Sequence, residues 1–397
     1  MVEPGIWEGP ARILGAPGMV EVEVAESEPP EIVITLLPLG LVKQPLTDVV
    51  VEGPVIKGRL GHVGDITFRQ EANSMTLHWA RAGQTMDIDL RPREGSGEGD
   101  GPYPYVDAIV VARKGETLRE DYYNGTTAED LHTQQSCTKS ITALVFGTAF
   151  DRGEIALEDP VWKFFADRPD ARWVKEKYDV SVHQLLCMSV GLEWNESVHY
   201  TDPRNDNTRM NASGDWIGYV LDRPLADGFP AGRFEYQSGL SILLGAVLRS
   251  ATGQSVDELA RERLFNPIGI DRFEWTKDGD GNPHTGGGLF LRSRDMVALG
   301  QVILDKGGDV LSREWIEKAT SDQSLHAESG TRYGYKWFLG TLPVGERSFD
   351  VIGASGYGGQ SLLVLPELDL VVQSNAHDWF GDGRSGKIAA EVVAELI

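Results

Sequence analysis

Two patterns of apolar and polar positions divide the chain. Up to about residue 91 the apolar positions fall in short runs, at 20–25, 32–36, 49–51, 65–68, 75–79 and 86–90, with turn residues between them. Several runs alternate, as in Val20-Glu21-Val22-Glu23-Val24 and Met86-Asp87-Ile88-Asp89-Leu90. Alternation puts one face of a strand in a core and the other in water. No helical period is evident here, so the pattern predicts a small antiparallel barrel or sandwich. Beyond residue 105 the runs lengthen. Residues 108–112, a Lys114-Gly115 turn and residues 116–123 predict a hairpin. Residues 141–147 predict a buried helix that continues to about Arg152 and stops at Gly153. A second helix is predicted over 241–250, after a Pro/Gly turn. Residues 361–366 and 368–372 predict a hairpin turning at Pro366-Glu367, and 387–396 an amphipathic helix able to cover the same sheet.

Between the two patterns lies Arg93-Glu94-Gly95-Ser96-Gly97-Glu98-Gly99-Asp100-Gly101-Pro102, which reads as a flexible linker. The predicted organisation is an all-β module over 1–91, a linker over 92–104 and a larger domain over 105–397. The fold class expected is α/β (α+β): an antiparallel sheet flanked by helices, with a helical subdomain and a small β-module in front.

Composition narrows the function. Of 397 residues 41% are apolar, enough for a core of this size. The net charge of −23 argues against nucleic acid and anionic membranes as partners. Two cysteines, Cys137 and Cys187, cannot make a disulfide scaffold and read as free thiols. No stretch reaches the length of a membrane span. Met1-Val2-Glu3-Pro4-Gly5 shows no basic segment followed by an apolar run, so the expected localisation is cytoplasmic, with a processed exported form left open.

The candidate chemistry starts at Ser136-Cys137-Thr138-Lys139, the one Ser-x-x-Lys in the sequence. A serine hydroxyl needs an adjacent base to act as a nucleophile. Lys139, one helical turn later, shares its face. Backbone N–H groups at a helix start can also receive an oxyanion. Downstream come Tyr236-Gln237-Ser238 and Gly353-Ala354-Ser355-Gly356-Tyr357-Gly358-Gly359-Gln360. Tyr236 is read as a phenolate able to take the Ser136 proton, against the plainer reading of a core ring. The glycines would let a strand edge approach a substrate. Gly-x-Ser-x-Gly, His-Glu-x-x-His, zinc-spaced Cys/His clusters and a phosphate-binding Gly-x-x-x-x-Gly-Lys-Ser/Thr are all absent. No metal or cofactor is implied.

Taken together these motifs resemble the serine β-lactamase and penicillin-binding-protein superfamily, in the class C β-lactamase-related branch with carboxylesterases and 6-aminohexanoate-oligomer hydrolases. Val180 to Trp194, Gly286-Gly287-Gly288-Leu289 through Asp295, and Tyr333-Gly334-Tyr335-Lys336-Trp337 add to the likeness, which spans roughly 105–397. It implies Ser136 as nucleophile, Lys139 as its partner, Tyr236 as general base and later acid, and the N–H groups of Ser136 and Tyr357 as the oxyanion hole. Ser238, Ser355, Gly356, Trp194, Tyr200 and His377 are the expected substrate-side residues, with Trp216 and Tyr219 as further cleft-wall candidates. Gly5-Ile6-Trp7-Glu8-Gly9 weakly resembles the lipocalin-like modules that accompany some of these hydrolases. One departure matters: Ala354-Ser355-Gly356 stands where β-lactamases carry Lys-Thr-Gly. Without that cation the expected substrates are carboxylic esters, then small or linear amides. β-Lactam or D-amino-acid peptide hydrolysis, acyl transfer, and a non-catalytic binding or sensor role remain the alternatives. The number of subunits is left open, with a homo-oligomer among the options.

Overall fold

The computed structural model describes residues 3–13, 16–36, 41–60, 64–71, 74–81, 84–92, 103, 105–198, 200, 202, 204–230, 232–323, 332–378 and 385–397. Most of the expected linker therefore lies outside the described residues. The chain divides into two compact units, one of residues 1–98 with 195–214 and one of 99–194 with 215–397.

In the first unit nine strands follow one another: β1 (Gly5–Ile13), β2 (Ala16–Val24), β3 (Ile32–Leu36), β4 (Leu41–Pro45), β5 (Thr47–Glu52), β6 (Val55–Leu60), β7 (Gly64–Glu71), β8 (Ser74–Arg81) and β9 (Gln84–Pro92). They form one antiparallel sheet in the order β4-β3-β2-β1-β9-β8-β7-β6-β5. Sequence neighbours thus pair except for β4 and β5, which only Leu46 separates and between which the gap falls, and β1 pairs with β9. The sheet is a nearly closed barrel. Its register stacks the apolar positions across strands: Val22 faces Ile34, Ile56 faces Phe68, and Leu77 faces both Phe68 and Ile88. All six are buried, so the alternation in the sequence becomes the barrel interior. Gly9 is required where β1 meets β9, because a Cβ there would fall 2.2 Å from the Asp89 carbonyl oxygen.

The second unit is built on β10 (Val106–Arg113), β11 (Glu116–Tyr122), β12 (His132–Thr133), β13 (Glu274–Trp275), β14 (Leu289–Leu291), β15 (Arg332–Tyr333), β16 (Phe338–Val344), β17 (Arg347–Gly356), β18 (Gln360–Leu365) and β19 (Leu370–Ala376). Seven of these make an antiparallel sheet, β11-β10-β19-β18-β17-β16-β15, and β12-β14-β13 make a small one. The hairpin that opens this unit thus pairs with the strand that nearly ends it. Every residue of β10 before Arg113 is buried, because helices cover both faces of the sheet. On one face Ile109, Val111 and Val372 pack with Ala389, Val392 and Val393 of the helix Ser385–Ala394. On the other, the helix Ser293–Leu304 lays Gly300 against Val371 and Leu362. The helix Cys137–Asp151 also packs on this sheet and is buried almost all round, which fits its run of apolar residues. The α/β expectation and the β-lactamase-like arrangement of sheet and helices hold.

Candidate active site

The geometry of the site begins with a strained turn. Gln135 has a positive φ of 44°, and Ser136 follows as the N-cap of the helix Cys137–Asp151. This turn leaves Ser136 half-buried, while Lys139 is only 2% exposed. Lys139 Nζ donates to Ser136 Oγ at 2.8 Å and to the Gly286 carbonyl at 2.5 Å. It also lies 5.0 Å from the ring centroid of Tyr236. A buried ammonium is costly unless its donors are met, and here two oxygens and a π-face meet them. Tyr236 is half-buried and lies nearly parallel to Phe338, with 6.5 Å between centroids. Tyr236, distant in sequence, is therefore brought to Ser136 and Lys139.

Gly356 belongs to the same cluster. A Cβ on it would fall 2.6 Å from the Gln134 carbonyl oxygen and 3.0 Å from Gln135 Cβ. Only a glycine lets the end of β17 lie against the turn that carries the serine. Tyr357, half-buried, comes next, and Ser355 is exposed beside it. Burial, and then the Asp378 carboxylate, push the Tyr357 hydroxyl up to about 12. Ser238 opens the helix Ser238–Thr252 and is buried. Trp194 meets that helix at Gly239 and stands edge-on to Tyr219. Trp216 is buried edge-on to His284. Tyr200 falls in the first unit, where its hydroxyl donates to Glu196 at 3.1 Å. His377 turns its Nδ1 to Asp107 Oδ1 at 2.8 Å.

Burial pushes the Cys137 thiol up to about 12, so it stays protonated. Burial, and then the Lys139 charge, hold His284 down at about 4 and therefore neutral. Three further groups did not stand out in the sequence. The Gly286 carbonyl, which holds Lys139, sits in a glycine run that reads only as a helix approach. Lys336 is 1% exposed and its Nζ has no hydrogen-bond partner among the described residues. Burial, and then the Lys139 charge, hold the Lys336 amine well below its usual range. Asp107 is buried at the head of an otherwise apolar strand. In sequence two of them left one faint signal each: a cation between two aromatics for Lys336, a carboxylate opening an apolar run for Asp107. Among the described residues no group of three or more His, Cys, Asp or Glu is set to hold a metal ion, and no helix is long and apolar enough to cross a membrane.

Known proteins share this architecture. The family model described as Beta-lactamase matches residues 106–394. A Bacillus anthracis protein named as a candidate 6-aminohexanoate-dimer hydrolase is 20% identical, with TM-score 0.62, over 74% of this chain and 78% of that one. EstCE1, described as a hydrolase with promiscuous acyltransferase activity, is 14% identical, with TM-score 0.61, over 73% and 93%. A D-stereospecific amidohydrolase from Streptomyces sp. is 17% identical, with TM-score 0.56, over 72% and 94%. At these identities the likeness concerns the fold. No curated protein matches the chain.

Proposed function

The chain belongs to the beta-lactamase family, and on that premise we propose that it is a serine hydrolase cleaving carboxylic esters or small linear amides through an acyl-enzyme on Ser136. The observation that supports this reading most is the placement of Lys139 Nζ, 2.8 Å from Ser136 Oγ and 5.0 Å from the Tyr236 ring. A cation in that position stabilises negative charge that develops on the Tyr236 oxygen or on Ser136 Oγ as the proton moves. Ser136 Oγ attacks the substrate carbonyl carbon, and its proton passes to the Tyr236 oxygen. The N–H groups of Ser136 and Tyr357 receive the oxyanion. Collapse breaks the bond to the leaving alcohol or amine, which takes the proton back from Tyr236. Water then attacks the acyl carbon by the same route in reverse and frees Ser136.

Ala354 supports the choice of substrate. It is buried on β17 at the position where the family motif would place a lysine. A substrate with no carboxylate to anchor loses nothing by that change, whereas a β-lactam or peptide carboxylate loses a charge-assisted contact.

Pre-steady-state hydrolysis of p-nitrophenyl butyrate tests the reading. The full chain should release a burst near one equivalent of p-nitrophenol, and the folded Ser136→Ala variant should release none. A burst that survives in Ser136→Ala overturns the assignment.

A further inference from the structure

Asp107 lies outside the catalytic cluster yet is joined to both sides of it. It sits second in β10 and is 5% exposed. Its Oδ2 accepts from His132 Nε2 at 3.0 Å. Its Oδ1 accepts from His377 Nδ1 at 2.8 Å and from Asn124 Nδ2 at 3.1 Å. The two histidines belong to different segments of the site. His132 is on β12, four residues before Ser136, and its carbonyl accepts from Gln134 Nε2 at 2.9 Å. His377 directly follows β19. The next residue, Asp378, donates its backbone N–H to the Gly358 carbonyl at 3.0 Å, in the turn that carries Tyr357. One carboxylate therefore grips the nucleophile turn through one oxygen and the turn beyond Gly356 through the other.

A carboxylate suits this place better than an amide would. All three partners donate, and a carboxylate offers only acceptors. The second nitrogen of His132 lies 3.0 Å from the Thr133 carbonyl oxygen, so the ring is held at both ends. A layer of buried amides runs alongside. Asn375 Nδ2 donates to Gln360 Oε1 at 2.9 Å and to Gln134 Oε1 at 3.4 Å, which joins the same two segments with neutral groups.

We propose that Asp107 is a positioning residue that sets the spacing between the Ser136 and Tyr357 N–H groups, and so governs acylation without touching substrate. This rests on the serine-hydrolase reading. An oxyanion site depends on donors held at fixed separation, and loss of one donor alone costs about 10²- to 10³-fold in kcat. Loosening one segment against the other should cost less.

The test uses the full-length chain, p-nitrophenyl butyrate and a fluorophosphonate that labels serine nucleophiles. Rates are taken per active site counted from the end point of fluorophosphonate labelling, so that misfolded protein does not enter them. Asp107→Asn should lower kcat and the rate of Ser136 labelling together by about 10- to 100-fold, with KM within about two-fold. His377→Ala, which keeps the buried carboxylate, should act in the same direction. The double variant should be no slower than the slower single one, because both changes release the same link. Wild-type labelling and kcat in Asp107→Asn, a change confined to KM, or effects that multiply in the double variant would each overturn the inference while leaving the hydrolase reading intact. Wild-type protein that fluorophosphonate never labels at Ser136 would overturn both, and would thereby be distinguished from failure of the link alone.

Discussion

The nine-stranded sheet and the second unit spend their buried positions differently. In the nine-stranded sheet the buried residues are apolar with two exceptions among those described, Thr35 and Gln70. The second unit buries Lys139, Lys336, Asp107, Asp295, His284, Gln134, Gln237, Gln360 and Asn375. Burying such groups is unfavourable unless each is paired. The difference singles out the surroundings of Ser136, where the proposed chemistry lies. The barrel follows the cheapest rule for a core, and the second unit departs from it around Ser136. Gln134 and Lys139 flank the serine in sequence, and Gln360, Asn375 and Asp107 tie down the segments on either side of it. Arg292 with Asp295 shows that not every such pair belongs to the site, since it anchors the start of the helix Ser293–Leu304.

The largest effect that would break this comparison belongs to Tyr236. Tyr236→Phe keeps the ring beside Lys139 and removes only the hydroxyl. Its kcat should fall by about 10²- to 10⁴-fold with little change in melting temperature. Turnover within a few-fold of wild type would mean that the polar cluster serves the fold and not the reaction.

The barrel should respond in the opposite manner. Phe68 is fully buried and is paired in register with Ile56 and Leu77. Phe68→Ala should cost about 3–5 kcal/mol of stability by leaving a cavity. Its kcat per active site counted from the burst should stay at the wild-type value. A proportional loss of kcat would show that the barrel takes part in catalysis, and the contrast between the units would fail.

The same contrast explains what could be read from sequence. Regions that obey one local rule were legible. Alternation gave the strands around Val22, Phe68, Leu77 and Ile88, and the apolar run after Ser136 gave its helix. Strands β1, β4 and β6 were not read, because Gly9 and Pro10, Pro45 and Gly58 interrupt their patterns. Those residues are tolerated where a neighbouring backbone comes close or a strand lies at an edge. The cluster of Ser136, Lys139 and Tyr236 was legible because spacing and motif order both pointed to it. Asp107, Lys336 and the Gly286 carbonyl were not. A carbonyl has no sequence signature, and one charged residue in an apolar run says nothing of what it will face. What decides these contacts is tertiary pairing, which appears only when β10 lies beside β19 and the Gly286 turn reaches Lys139.

Lys336 gives the smallest and sharpest test, because among the described residues its buried amine lacks the pairing that usually excuses one. Burial acts first, and the Lys139 charge adds to it, so the amine titrates well below its ordinary 10.5 in the folded chain. Between those two values the unfolded chain binds the extra proton. Stability must then rise with pH through this window and level off near 10.5. Lys336→Met keeps the length of the side chain and removes the amine. Denaturation midpoints measured from pH 7 upward should be higher in the variant at neutral pH, and the gap should close as the pH approaches 10.5. A gap that stays constant with pH would mean that the amine is charged in the folded state and satisfied, and that the polar interior around Ser136 carries no unpaired group. A closing gap with unchanged kcat would make Lys336 a cost of the fold, separate from the paired groups that hold the serine.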